Sequence, residues 1–343
     1  NTYVGSSAGK GASGAEASNV GIGSNALLAI TDGQANTVIG KSAGDAITSA
    51  DYNTFVGYFA GSTTVDADKC VAIGGQALEA GNATQDGTVA VGWNALTALT
   101  SGASNTVVGY QAGDALTTGY ENTVLGKNAL GADVDGGRSV AIGFNALETQ
   151  TGVTGNQYNT AVGAYSGRYV STGIENTFIG YYTGFGASGT PTTGSYNTVV
   201  GSSAGGALEG AAADNTLIGR AAGSTITTGT GNVIIGSSAA PSSVTGTNQI
   251  AIGATGQADD SVTLGNASVT DVYMNQDGGA KVHCGELVVG TSGTGNEGWL
   301  IPASMIAYSY HGGTGSQAHV IINNANGDVG SIDTSGSATA YNT

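Results

Sequence analysis

The chain has 343 residues, and charged residues make up only 9% of it, whereas about 25% is typical of a soluble domain. It contains 61 Gly, and its 8 Lys plus Arg against 24 Asp plus Glu give a net charge of −16 at pH 7. Eight cations cannot form the basic surface that nucleic acid requires, and no apolar run approaches the ~20 residues of a membrane span. We therefore expect neither nucleic-acid binding nor membrane insertion.

A nine-residue motif recurs from the first residue to about residue 265. Its core is Asn-Thr-x-(Val/Ile/Leu)-Gly-x-x-Ala-(Gly/Leu), with clear copies beginning at Asn36, Asn53, Asn105 and Asn215. Of the fifteen spacings between successive motif glycines, twelve are 17 or 18 residues. A fixed period of this length is typical of solenoid proteins, in which each repeat packs on its neighbours. The motif glycines are Gly5, Gly23, Gly40, Gly57, Gly74, Gly92, Gly109, Gly126, Gly143, Gly163, Gly180, Gly201, Gly219, Gly236, Gly253 and Gly265.

Each position of the motif has a structural interpretation. Thr37 and Ile39 are two residues apart and share one face of a strand, which we predict to be buried. Gly40 follows where the chain turns or meets another backbone, and Ala43 is small enough for a tight corner. Asn36 tolerates turn geometry, and one Asn in each coil predicts a ladder of stacked amides. The same interpretation applies to Asn53, Gly57, Asn105, Gly109, Asn122, Gly126, Asn215 and Gly219.

The remaining residues of each period are small and polar. They predict a shorter, solvent-facing strand and two turns, since about 17 residues at ~3.3 Å each suffice for one small coil of two strands. The predicted fold class is therefore all-β, a repetitive β-solenoid or β-roll rod of about 15 coils over residues 1–265. Because one such coil encloses a very small core, we expect three chains to intertwine or pack as a homotrimer.

A second form of the motif ends in Leu where the first form ends in Gly. It occurs in CVAIGGQAL from Cys70, TVAVGWNAL from Thr88 and SVAIGFNAL from Ser139. We expect its Leu to fill space that the Gly-containing coils leave to their neighbours.

Both forms resemble repeats of known fibrous proteins. The SVAIG form resembles the head repeat of trimeric autotransporter adhesins, whose repeats are shorter. The NTVIG-x-x-AG form, with its 17-residue spacing, resembles repeats in phage tail fibres. Residues 248–274 resemble the junction of repeat and shaft in such fibres, and residues 321–343 resemble the segment before a self-cleaving intramolecular chaperone. The resemblance implies cleavage after Thr343, and the Asn at position 1 suggests a virion-attachment region upstream.

The tail-fibre resemblance implies a non-enzymatic structural fibre, located in the virion and outside the cell. It would be a rigid shaft that presents a distal receptor-binding tip. The expected partners are two further copies of the chain, virion tail proteins, and a glycan or protein receptor on the host surface. A bacterial trimeric surface adhesin is the alternative. An ice-binding solenoid is less favoured, because the Thr residues are predicted on the buried face, and a polysaccharide depolymerase lacks a distinctive pair of carboxylates.

The repeat stops after Gly265 and the composition changes. Residues 266–298 are predicted to be a transition to the shaft junction, and residues 299–343 a small β tip. Within the tip, Asn326-Gly327 predicts a two-residue hairpin turn between apolar strands.

The predicted tip contains the candidate binding residues. Aromatic rings with a polar edge suit contacts with sugars or proteins, so Trp299, Tyr308 and Tyr310, with the adjoining His311, are candidates for receptor binding. His319 is a candidate metal ligand, since in a trimer it could meet its two copies on the axis. No catalytic residue and no cofactor is predicted.

Two other residue types were considered for chemistry. Acidic pairs such as Asp66 with Asp68 and Asp259 with Asp260 offer oxygen ligands for Ca²⁺, but the repeat differs from known calcium-binding rolls, and solvated loops are favoured. Cys70 is predicted to be a buried free thiol.

Overall fold

The computed structural model describes residues 1–80, 86–151, 155–253 and 259–265, and the backbone of residues 317–324, 327–335 and 338–342. The chain divides into two compact units, Asn1–Val272 and Tyr273–Thr343.

The first unit is a parallel β-solenoid. Each coil contributes one three-residue strand to a sixteen-stranded parallel sheet, in which the strands lie in chain order. The motif positions are in register, since Thr37 pairs with Thr54 and Ile39 with Val56. The strands of this unit are β1 (Thr2–Val4), β2 (Val20–Ile22), β3 (Thr37–Ile39), β4 (Thr54–Val56), β5 (Val71–Ile73), β6 (Val89–Val91), β7 (Thr106–Val108), β8 (Thr123–Leu125), β9 (Gly136–Gly137), β10 (Val140–Ile142), β11 (Gly155–Asn156), β12 (Thr160–Val162), β13 (Thr177–Ile179), β14 (Thr198–Val200), β15 (Thr216–Ile218), β16 (Val233–Ile235), β17 (Ile250–Ile252) and β18 (Val262–Leu264).

The predicted all-β solenoid with a 17-residue period is confirmed, but the predicted second strand of each coil is wrong. Among the described residues of this unit, only β9 and β11 form another parallel sheet, and the rest of each coil consists of turns and a few isolated bridges. The reason is the backbone conformation at the turns, or corners, that follow each strand. One coil has positive φ at Gly40 (141°), Ser42 (53°), Gly44 (52°) and Tyr52 (60°), and left-handed residues at these positions interrupt an extended path.

The core of the solenoid is built from a few inward-pointing side chains of each coil. The middle residue of each strand points inward, as Val38 and Phe55 do, and both are fully buried. The fourth position after each motif glycine also faces this core. A Cβ added to Gly61 would overlap the Phe55 ring, so Gly at this position makes room for a large residue. Where Leu78 stands at the same position, the middle residue of the strand is Ala72, and both are fully buried, as expected for the second form of the motif.

The second unit contains a three-stranded antiparallel sheet in the order β19 (Gln317–Asn324), β20 (Gly327–Ser335) and β21 (Ala338–Asn342). Asn324 pairs with Gly327, so residues 325–326 connect β19 to β20. The antiparallel pairing of β19 with β20 agrees with the predicted hairpin, and residues 325–326 between them lie outside the described residues.

Candidate functional site

The outer face of the sixteen-stranded sheet is the largest regular surface of the solenoid. On every strand the first and third residues point outward, and they are Thr, Val or Ile at the first position and Val, Ile or Leu at the third. No charged residue occurs at either position. The side chains of Val4, Leu125 and Leu264 are 55%, 49% and 48% exposed. The sixteen coils thus present an uncharged and largely apolar strip along the solenoid.

This surface corrects the prediction made for Thr37 and Ile39. Both residues were predicted to be buried, but they are exposed, and Val38 between them is the buried residue. Both faces of the strand are apolar, so the alternation of side chains along the strand did not reveal which face is buried in the core. The left-handed corners turn the chain toward the Val38 side, and the Thr37 side is left outside.

The predicted ladder of Asn side chains is confirmed. In Asn53 the backbone N–H donates to Oδ1 of Asn36 at 3.0 Å, and Nδ2 donates to the carbonyl of Ala67 at 2.9 Å. Asn122 repeats this pattern with Asn105 at 3.0 Å. The ladder residues Asn36, Asn53, Asn105, Asn122 and Asn215 are 0–1% exposed. Each amide satisfies buried backbone groups of two coils, which is a structural role.

The motif glycines form a second ladder. A Cβ added to Gly109 would overlap the carbonyl group of Gly126, and one added to Gly57 would overlap that of Gly74. Gly40, Gly126 and Gly219 meet the next motif glycine in the same way. Ala43, the predicted corner residue, is fully buried. These residues hold the coils at close spacing and leave no room for a ligand.

A buried polar cluster replaces the ladder where Ser139 stands in the Asn position. The fully buried carboxylate of Asp133 accepts hydrogen bonds from the Gly136 N–H at 3.0 Å and from Gln150 Nε2 at 2.7 Å. Gln150 also donates to Ser139 Oγ at 3.2 Å and accepts from Asn159 Nδ2 at 2.9 Å. Gln150 therefore supplies the amide that Ser139 lacks, while burial raises the pKa of Asp133 to about 6.

The acidic residues considered for Ca²⁺ have structural partners. Asp51, Asp68 and Asp86 form a run along one edge, in which each carboxylate accepts the backbone N–H of the preceding coil: Gln34 at 2.6 Å, Asp51 at 2.7 Å and Asp68 at 2.9 Å. The Asp259 carboxylate accepts from the Thr247 N–H at 2.9 Å. No group of three or more His, Cys, Asp or Glu suited to a metal ion occurs among the described residues.

Cys70 is buried, as predicted, and its Sγ donates to the carbonyl of Asp68 at 3.4 Å. Its backbone N–H donates to Asn53 Oδ1 at 2.8 Å, and burial raises the pKa of the thiol to about 11. It is therefore protonated at neutral pH and a poor nucleophile.

The predicted receptor-binding residues Trp299, Tyr308, Tyr310 and His311 lie outside the described residues. The candidate metal ligand His319 is on β19, where only the backbone is described.

The sequence prediction missed a group of surface rings in the middle of the solenoid, which we call the aromatic cluster. Tyr182 stacks on Phe185 with ring centroids 4.4 Å apart, and Tyr165 meets Phe144 edge to face at 5.0 Å. The Tyr181 side chain is 55% exposed. The members of the aromatic cluster are Phe144, Tyr165, Tyr169, Tyr181, Tyr182 and Phe185.

An ion pair lies within the aromatic cluster. The Arg168 guanidinium carbon is 4.9 Å from the ring centroid of Tyr169 and 5.3 Å from that of Tyr165. Its Nε donates to the Glu148 carboxylate, which also accepts from Asn145 Nδ2 at 2.7 Å. The positive charge of Arg168 is thus matched by the carboxylate beside it.

An open cleft of about 340 Å³ adjoins this ion pair. Asp114, Gly131 and Glu148 each stand five residues after a motif glycine, and Gly131 leaves the space between the two acidic positions unfilled. Burial raises the pKa of Asp114. The cleft is lined by Gln111, Asp114, Asn128, Gly131, Ala132, Glu148 and Thr149.

Comparison of the chain with protein-family models, with curated proteins and with solved structures returns no match. Within the described parts of the chain, no helix has the length and apolar character needed to cross a bilayer.

Proposed function

We propose that the chain is a structural fibre of a virus, a phage tail fibre or a similar appendage, whose solenoid forms a rigid shaft. In this proposal the shaft is a homotrimer in the virion, outside the cell. It joins virion tail proteins at one end and presents a tip that binds a glycan or protein receptor on the host at the other. The proposal assigns the chain no catalysis.

The observation that carries the proposal is the exposed outer face of the sheet. Large contiguous apolar surfaces on soluble chains are typical of interfaces with other protein chains. This face is regular and uncharged, so identical chains can pack against it in register, although each chain carries a net charge of −16. Packing three such faces together would also provide the shared core that one thin coil lacks.

Sedimentation equilibrium of the purified chain tests the proposal. We expect a mass three times the 33.3 kDa of one chain, independent of concentration over the micromolar range. A folded monomer at all concentrations would contradict the homotrimer and remove the main support for a fibre. Negative-stain electron microscopy of the same sample should show straight rods.

The bacterial trimeric adhesin remains the alternative within the same architecture. The full-length gene separates the two, since an outer-membrane β-barrel anchor indicates an adhesin and a self-cleaving chaperone indicates a tail fibre.

Ice binding is a second candidate, because Thr37, Thr54 and Thr106 stand on the exposed face rather than the buried one. The third position of each strand is apolar, however, so each strand presents Thr or an aliphatic residue beside an aliphatic one, which favours protein packing. Thermal hysteresis of a solution of the chain tests this candidate. If the monomeric chain shapes ice crystals, ice binding would be favoured over a role as a structural fibre.

A further inference from the structure

We propose that the aromatic cluster and the adjoining cleft bind a neutral oligosaccharide of pyranose sugars. The site lies on the solenoid and not in residues 299–343. It goes beyond the proposed fibre because it does not depend on how many chains associate or on what the tip binds.

The repeat itself shows that the fold does not need these rings. Tyr181 and Tyr182 occupy the first and second positions after a motif glycine, where the next coil has Ser202 and Ser203. At the second position two earlier coils have Asn128 and Asn145, while the coil directly before has Tyr165. At the second position most other coils have Ser, Asn, Gln or Ala, and Phe59 is the ring that another coil places there. The turn itself therefore does not need a ring at Tyr165 or Tyr182.

The positions of two rings also carry a backbone cost. Tyr165 and Tyr182 have φ of 59° and 55°, in the left-handed region where bulky side chains are disfavoured relative to Asn. Part of the cluster is exposed as well, because the Tyr181 ring lies largely in solvent. Left-handed residues recur in every coil, so the distinguishing feature is that six rings gather on one surface, where other coils manage with Ser or Asn. A group of partly exposed rings of this kind points to a binding role.

The arrangement of the polar groups indicates the ligand. Arg168 and Glu148 neutralise each other, so the cluster attracts neither anions nor cations strongly. Both can still hydrogen-bond hydroxyl groups at the edge of a ring, and Gln111 and Asn128 offer amides along the cleft. The C–H face of a pyranose packs on an aromatic ring while its hydroxyls bond side chains around the rim. A neutral sugar fits this combination.

A second copy of the chain fits this side of the solenoid less well. The cleft already holds the carboxyl group of Asp114, and another chain of net charge −16 would bring further negative charge to it. The uncharged sheet face offers such a copy a better surface.

Affinity gel electrophoresis of the full chain tests the proposal, with dextran, galactomannan, xyloglucan and laminarin as neutral probes and alginate as an anionic one. We expect at least one neutral polysaccharide to retard the chain. Replacing both rings by the residues of the next coil, Tyr181→Ser with Tyr182→Ser, should raise the dissociation constant at least tenfold. Tyr181→Ser alone should weaken binding in the same direction.

The matched control is Tyr52→Ser, which removes an exposed Tyr far from the aromatic cluster in sequence and should leave binding unchanged. Circular dichroism should show that all variants keep the β-solenoid. The proposal is overturned if no neutral polysaccharide retards the chain, if only alginate does, or if the double variant binds as tightly as the parent. It is also overturned if the double variant changes the sedimenting mass, because the rings would then belong to an interface between chains.

Discussion

At the scale of single residues, the solenoid depends on buried amides that serve two coils at once. The Asn215 Oδ1 accepts from the backbone N–H of Asn232 at 3.1 Å, and its Nδ2 donates to the carbonyl of Gly229 at 2.8 Å. Both partners belong to buried parts of neighbouring coil segments, where water cannot replace the lost bonds. One amide therefore links segments 14 and 17 residues away in the chain.

Asn215→Ala should destabilise the solenoid by about 3 kcal/mol, because it leaves at least one buried donor and one buried acceptor without partners. Urea unfolding followed by circular dichroism measures the change. Thr225→Ala, ten residues along the chain at an exposed position, is the control and should change stability by less than about 0.5 kcal/mol. Equal effects of the two substitutions would show that the amide ladder contributes little.

The buried carboxylate of Asp133 makes stability depend on pH. Its folded pKa of about 6 lies above the ordinary aspartate value of 3.8, so the folded chain binds the proton more tightly than the unfolded chain. The contribution of Asp133 to the unfolding free energy should therefore be greatest below pH 4. It should fall as the pH rises from about 4 to 6, and stay level above that.

Asp133→Asn should remove this contribution, which is at most about 3 kcal/mol for a shift of about two pKa units. The measurement is urea unfolding of both chains at pH 4, 5, 6 and 7. The difference in unfolding free energy between variant and parent should change across this range and become constant above pH 6. Asp135→Asn, at the partly exposed neighbouring acid, is the control. A constant difference between Asp133→Asn and the parent at every pH would contradict the prediction.

At the scale of elements, the two forms of the motif place either Gly or Leu at the same left-handed corner, facing the narrow core. Gly44 has φ of 52° and Leu78 has φ of 54°, so the two forms of the motif share one backbone. Gly accompanies Val38 or Phe55 in the strand and Leu accompanies Ala72, although Gly also occurs with Ala161 and Leu with Val124. The two forms are therefore alternative ways to fill the same narrow core at close-packed density.

The contact between motif glycines sets how closely the coils stack. Gly109→Ala should destabilise the solenoid by about 3 kcal/mol, because φ is 147° and the new Cβ would overlap the Gly126 carbonyl group. Thermal unfolding followed by circular dichroism measures the loss. Gly189→Ala is the control, since no atom lies within 4 Å of a Cβ added there and its φ is not positive. If Gly109→Ala unfolds at the temperature of the control, the close stacking is not needed for stability.

At the scale of the whole molecule, the sheet has two apolar sides but only one is covered by the chain itself. The outer strip runs over all sixteen strands and contains no charge, while the net charge of −16 resides elsewhere on the chain. In the proposed homotrimer, this division would let so acidic a chain pack against its own copies through the uncharged strip. The charge keeps the remaining surface soluble.

Charges placed on the strip should separate the chains without unfolding them. Ile73→Lys combined with Ile179→Lys changes two side chains that are each 40% exposed in the single chain, so the coil itself should keep its structure. We expect the sedimenting mass to fall from that of a trimer to that of a monomer, with the circular dichroism spectrum retained. Thr228→Lys, at an exposed position away from the sheet, should leave the mass unchanged. A double variant that stays trimeric would show that the chains associate through another surface.

The aromatic cluster illustrates why part of a site escapes sequence analysis. Tyr165 and Tyr182 are 17 residues apart, so they become neighbours only because the coils stack in register. A signal was present, since both stand two residues after a motif glycine. Our interpretation considered aromatic residues for receptor binding only after residue 298, where the composition changes, and did not compare equivalent positions of the repeat.

The sequence by itself determined the period, the short strand, the close glycines and the Asn ladder. These follow from local requirements that recur in every coil, so repetition made the signal unmistakable. Only the tertiary structure decided which side of the strand is buried, because Thr37, Val38 and Ile39 are all compatible with a strand that is apolar on both faces. The left-handed corners close the coil around Val38, and that closure leaves Thr37 and Ile39 outside, where another chain can meet them.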